Sequence, residues 1–101
     1  MDIIFEYHDV MQSDTIENLV TEKLEKIGSK YEMVIRADVF FKSENTSSDD
    51  TGKICAIRLS LPGPRMFAES SKENYMAAIA ETTSDLERQL RRRKEKMKSH
   101  L

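Results

Sequence analysis

The chain has 101 residues, 39% hydrophobic and 34% charged, with a formal net charge of −2. That suffices for one modest core. It excludes a membrane-spanning segment, for which roughly 18 consecutive apolar residues are needed, and an internal disulfide, because Cys55 is the one cysteine. The N-terminus MDIIFEYHD is acidic and lacks the positive start of a signal peptide, so a cytoplasmic location is expected.

Ile3, Phe5 and Tyr7 alternate, which predicts a short first strand over 3–7. Ser13 or Asp14 caps a helix with Glu17 in its first turn. Ile16, Leu19, Val20, Leu24 and Ile27 form its apolar stripe, and Gly28 stands where it is expected to stop. Ile35, Ala37, Val39 and Phe41 alternate again, predicting a second strand over 33–42. The polar stretch SENTSSDDTG at 43–52 is a loop, and Cys55, Ile57, Leu59 and Leu61 mark a third strand. After the tight Pro62-Gly63-Pro64 connection, Met66 and Ala68, or Phe67 on the other register, begin a fourth short strand that ends near Glu69.

A second helix is expected from a cap at Ser71, with Glu73 and Asn74 in its first turn. Its buried face is Tyr75, Ile79, Thr83, Leu86, Leu90 and Met97. Run to about residue 98, it would be about 40 Å long at 1.5 Å per residue. Strands of about six residues reach only about 20 Å. The C-terminal half of the helix must therefore overhang the sheet.

The order strand, helix, three strands, helix predicts an α+β domain of two layers. The first two strands are expected to be parallel neighbours around a right-handed crossover, and the next three an antiparallel meander. Both helices lie on one face of the four-stranded sheet. The reading is of a single domain over 1–101, monomeric when free.

Charge is distributed unevenly. From Arg88 to Leu101 seven basic residues face one acid, Glu95, whereas the first 87 residues hold 9 Lys/Arg against 17 Asp/Glu. An acidic body with a basic C-terminal helix points to a polyanionic partner, of which nucleic acid is the commonest. Cations near a helix C-terminus meet the macrodipole favourably, but that effect fades within the last turn, and these charges span three. Arg91, Arg92, Arg93 and Lys94 are consecutive and repel one another, which stability alone would not select. Lys23, Lys26 and Lys30 share one side of the first helix. They would extend the basic surface if the helices lie side by side. No aromatic pair is evident on an exposed strand face, so contact with RNA backbone and shape fits better than base stacking.

Catalytic chemistry has little support. His8 is expected on the surface after the first strand and His100 in the basic tail. No His/Cys/Asp cluster has metal-ligand spacing, and no glycine-rich phosphate loop exists. Cys55 lies on an apolar strand face as a small buried hydrophobe, and Asp49 and Asp50 belong to a solvated turn. No cofactor, metal or small-molecule substrate is expected.

The segment 74–100 resembles the C-terminal helix of the ribosome hibernation promoting factor family, which includes ribosome-associated inhibitor A. Ala78-Ile79, Leu86, Arg88-Gln89-Leu90, Arg92, Lys94, Lys96 and Lys98 stand in the places of that family's helix motif. Upstream, Ser13 through Val20 resembles the family's first-helix start, and Lys23-Leu24 with Lys26 its Lys-x-x-Lys pattern. The order β-α-β-β-β-α is shared along the whole chain, in a fold described as double-stranded-RNA-binding-like. Besides Asn74, which stands in place of the acid before the family's Met-Tyr, three features depart from the pattern. Tyr75-Met76 inverts the usual Met-Tyr, Glu17 replaces a common basic residue, and the loop 43–52 is acidic.

The resemblance implies a short-form stress or stationary-phase factor. It would bind the small ribosomal subunit between head and body, across the paths of messenger RNA and tRNA, and inhibit translation. It also implies ribosomal-RNA contacts by Arg88, Arg91, Arg92, Lys94, Lys96, Lys98, Lys23 and Lys26. The residues themselves leave two alternatives open: a protein–protein adaptor using the charged helix, and a generic binder of double-stranded RNA.

Overall fold

The structure, a computed structural model, describes residues 1–99, with Lys98 and Ser99 described as backbone alone. His100 and the Lys98 side chain, both expected in the basic tail, lie outside the described residues. The elements are β1 (Asp2–His8), α1 (Asp14–Lys30), β2 (Arg36–Ser43), β3 (Lys53–Ser60), β4 (Met66–Lys72) and α2 (Tyr75–Ser99). The sheet order is β1-β2-β3-β4, with β1 parallel to β2 and the other pairs antiparallel, as the connection lengths predict.

Register puts the apolar residues in rows across the sheet. One row is Phe5, Val39, Ile57 and Ala68; another is Tyr7, Phe41, Cys55 and Ser70. Both helices pack on that face. Val20, Leu24 and Ile27 of α1 join Ala78, Ile79, Leu86 and Leu90 of α2 in one cluster with the strand residues. Burying each such Val, Leu or Ile is worth about 1.5–3 kcal/mol. Phe41 anchors the end of the core nearest the start of α2. Tyr7 lies against it at 5.5 Å and Tyr75 meets it edge-on at 5.7 Å. The Tyr75 hydroxyl then donates to the Lys42 carbonyl at 2.8 Å, so its polar end is satisfied.

Local chemistry accounts for where the elements begin, and for where they depart from the predicted bounds. Ser13 caps α1, its Oγ accepting from the Ile16 amide at 3.5 Å. The helix does not stop at Gly28 but runs to Lys30. Gly28 serves a close approach instead: a Cβ there would lie 2.8 Å from Met1 Cε. The chain then turns through Val34, whose N–H bonds the Tyr31 carbonyl at 3.1 Å, so β2 starts at Arg36 rather than 33. β4 continues past Glu69 because Ser70, Ser71 and Lys72 stay in register with β3. Ser71 is therefore a strand residue, and its Oγ accepts from the Gly52 amide at 2.9 Å. The cap of α2 is Asn74, whose Oδ1 accepts from the Ala77 amide at 2.8 Å.

The buried face of α2 ends at Leu90, and Met97, expected in the core, is 57% exposed. The sheet has run out beneath it. The molecule measures 49 × 25 × 19 Å, its long dimension matching a 25-residue helix of about 37 Å on short strands.

Candidate nucleic-acid interface

The C-terminal turns of α2 place their cations by simple geometry. At 100° per residue, the core side is fixed by Ile79, Leu86 and Leu90. Arg88, Arg91 and Arg92 then form an outward arc, Lys94 falls on the flank towards α1, and Lys96 on the flank towards β4. All five are exposed or mostly exposed. Arg93 falls on the inner side. It is half-buried, and its Nη1 is enclosed without a hydrogen-bond partner among the described residues. The Pro62-Gly63-Pro64 connection reaches over it, since a Cβ on Gly63 would stand 3.9 Å from Arg93 Nη1. The loop thus extends the support under α2 by about one turn beyond Leu90.

Local interactions hold this surface in shape. Arg88 reaches back one turn to Asp85 at 3.5 Å. Lys94 lies over the Tyr31 ring at 5.6 Å, an exposed cation–π contact of about 0.5–1 kcal/mol. Gln89 donates from Nε2 to the Phe67 carbonyl at 3.1 Å, tying α2 to β4. Arg91 and Arg92 have no carboxylate within ion-pairing distance among the described residues.

The helices do lie side by side. Lys23, Lys26 and Lys30 line a groove of about 360 Å³ whose far wall is Ala80, Thr83, Ser84 and Glu87 of α2. Lys30 closes one end through a 2.9 Å ion pair with Glu87. That hydrogen bond pulls the Glu87 carboxyl below its ordinary range and pushes the Lys30 ammonium above its own. Lys26 is only loosely engaged, 3.9 Å from Glu22, and Lys23 has no ion-pair partner among the described residues. Glu17 accepts a hydrogen bond from the Tyr7 hydroxyl. Burial, with that carboxylate next, pushes the Tyr7 hydroxyl up to about 12. Glu17 is therefore a structural partner of β1.

The uncovered face of the sheet holds what the sequence reading missed. Phe40 is half-buried there and Phe67 is 53% exposed, so two aromatics do sit on that face. Arg58 lies over the Phe40 ring at 5.9 Å. The buried carboxylate of Asp38 is held by Arg36 at 2.8 Å and Arg58 at 3.6 Å. Strand parity carried the signal: Phe40 and Phe41 are adjacent, so one of them must point away from the helices. Cys55 is fully buried, its thiol pushed up to about 12 by burial. No group of three or more potential ligands for a metal ion occurs among the described residues. Nor is any described helix long and apolar enough to cross a membrane.

The profile of the family described as sigma 54 modulation protein / S30EA ribosomal protein matches residues 3–98. The chain belongs to this family. No curated protein matches it in sequence. Among solved structures, the S30EA-family chain is similar to a ribosomal subunit interface protein from Coxiella burnetii. The TM-score is 0.80 at 21% identity, over 94% of this chain and 99% of that one. It is also similar to the N-terminal domain of Protein Y from Thermus thermophilus. There the TM-score is 0.76 at 23% identity, over 91% of this chain and 98% of the other. At these identities the likeness fixes the fold: a mixed four-stranded sheet under two helices.

Proposed function

We propose that this S30EA-family chain is a non-enzymatic ribosome hibernation factor, acting as a single binding domain and monomeric when free. It binds the small ribosomal subunit through ribosomal RNA in the messenger-RNA and tRNA channel. Translation is thereby inhibited under stress or in stationary phase, in the cytoplasm. The observation that carries the reading is the outward arc of Arg88, Arg91 and Arg92 on helix turns that the sheet does not cover. Lys94 and Lys96 continue it, Lys23 and Lys26 flank it across the groove, and the proposal extends the contact to Lys98 from the sequence alone. Cations spread round a projecting rod suit a curved phosphate backbone better than a flat protein face. The family membership, and the description of the Coxiella burnetii structure as a ribosomal subunit interface protein, support the ribosome as the partner.

The test is co-sedimentation with purified small subunits across a salt series, for the parent and for Arg88→Gln/Arg91→Gln/Arg92→Gln. Each lost phosphate contact should lower the log–log salt slope by about 0.7–0.9, so the triple variant should lose roughly two to three. It should also fail to block cell-free translation. A variant that still sediments and still inhibits would defeat the proposal. Equal competition by plain duplex RNA and by whole subunits would replace it with generic RNA binding. Salt-insensitive binding would replace it with a protein adaptor.

A further inference from the structure

We propose that the free edge of β1 is a strand-addition site for an extended protein segment in which lysine or arginine alternates with small apolar residues. Among the described residues β1 pairs only with β2, so its other edge is open. The Asp2 amide bonds the Ile35 carbonyl on the β2 side at 3.1 Å. Alternation along the strand then turns the backbone N–H and C=O of Ile3 and Phe5 outward, available to another strand.

The apolar side chains at this edge are unfinished. Ile3, Phe5 and Tyr7 are only half-buried. Their row-mates Ala37, Val39 and Phe41 on β2 are completely buried. Beside Ile3 a cleft of about 380 Å³ opens between the strand and α1, lined by Met1, Ile3, Glu25, Gly28, Glu32 and Val34. Met1, Ile3 and Val34 give it apolar contacts, its charged residues are both glutamates, and no basic residue lines it.

Charge selects the occupant. Glu25 and Glu32 stand on the helix side of the edge, and Asp2 and Glu6 fall on the opposite face of the strand. None of the four has an ion-pair partner among the described residues. A second copy adding edge to edge would set these carboxylates against their own kind, which disfavours self-pairing. RNA is repelled by the same charges. A basic extended segment gains the backbone ladder, lays its apolar residues over Ile3 and Phe5, and sets its basic residues beside Asp2 and Glu6 on the opposite face, with Glu25 and Glu32 adding to the negative field. α1 is thus two-sided, with lysines towards the α2 groove and glutamates towards β1. The site does not rest on the RNA reading, and both surfaces can be filled at once.

The probe is a synthetic peptide, acetyl-Lys-Val-Lys-Val-Arg-Val-amide, titrated into the full ¹⁵N-labelled chain. The expected result is amide shifts and slowed hydrogen exchange centred on Ile3 and Phe5. Affinity should fall with salt and drop about tenfold in Asp2→Lys/Glu6→Lys, two exposed changes that leave the core intact. Arg88→Gln/Arg91→Gln/Arg92→Gln should bind the peptide as the parent does, which separates this site from the RNA surface. The inference is overturned if the glutamate analogue of the peptide binds as well, or if Ile3 and Phe5 stay unprotected at saturation. Protection that grows with protein concentration alone would also overturn it, by showing a second copy on the edge.

Discussion

Replacing Leu86 by alanine tests whether the core ends where the structure ends it. Leu86 is 0% exposed and belongs to the cluster formed with the sheet and α1. Truncation removes three buried carbons, a transfer loss of about 2.4 kcal/mol at about 0.8 kcal/mol each. The cavity left behind adds to that, giving about 2–5 kcal/mol in all. For a domain of this size the melting temperature should fall by at least about 10 °C. Met97→Ala is the matched control seven residues above Leu90. At 57% exposure Met97 has little to lose, and the change should stay within about 0.5 kcal/mol. Urea titration followed by circular dichroism measures both. A loss below about 1 kcal/mol for Leu86→Ala would show that the helix is not seated on the sheet as described. A loss above about 1 kcal/mol for Met97→Ala would show that the overhang is packed, and the argument for a projecting basic rod would fail with it.

Two further outcomes follow from burial and backbone geometry. The Cys55 thiol, held up at about 12 against an ordinary 9.0, should resist thiol reagents in the native state. Between those values the unfolded chain has released its proton and the native chain has not, so stability should fall as pH rises from about 9 to about 12. Cys55→Ala should flatten that loss while keeping ribosome binding, and Tyr7 should leave its own residual decline above its ordinary 10.0, read by urea titration at several pH values. Gly28→Ala and Gly52→Ala should separate in sign by thermal melting. At Gly28 the new Cβ meets only the mobile end of Met1, which is 42% exposed, so the helix-propensity gain of about 1 kcal/mol should prevail. At Gly52, with φ +113° and the Glu44 carbonyl oxygen 2.6 Å away, alanine should cost about 1–3 kcal/mol.

The fold was legible because the signals that set it are periodic and redundant. Alternation at Ile3-Phe5-Tyr7, at Ala37-Val39-Phe41 and at Cys55-Ile57-Leu59 fixed three strands and the face each buries. The long connection between β1 and β2 fixed their parallel pairing. What failed were decisions made by tertiary competition. Ser71 and Asn74 are both competent caps, and only the ladder with Lys53 and Ile54 assigns Ser71 to β4. Gly28 carries the local signature of a helix end, but Met1 fills the space beside it. Met97 keeps the helical period of the buried stripe, and period alone does not say where the sheet stops. At the site, the cation arc could be read from spacing. The inner place of Arg93 follows from the same spacing, but its enclosure by the Pro62-Gly63-Pro64 connection could not be read, because that connection is remote in sequence.

The basic overhang stands at the end of a helix for a physical reason. Consecutive unit charges a few ångströms apart repel by roughly 1 kcal/mol at 4 Å in water, less with salt and distance. A buried helix end would amplify that repulsion. An exposed one screens it, and the helix dipole offsets part of it near the C-terminus. Lys and Arg are also good helix formers, so the turns beyond Leu90 lean less on the core for their shape. The acids are kept elsewhere: Glu25 and Glu32 at the β1 cleft, Glu44, Asp49 and Asp50 in and beside the β2–β3 loop. Within the overhang only Glu95 offsets the charge. On the proposed RNA reading, repulsion left standing in the free protein would be relieved when phosphates arrive, so the strain would favour the bound state. A helix stabilised internally by paired Glu and Lys would be more stable alone and a poorer ligand for RNA. That is why neutralising Arg88, Arg91 and Arg92 should leave the fold as stable as before, or slightly more so, while removing its binding.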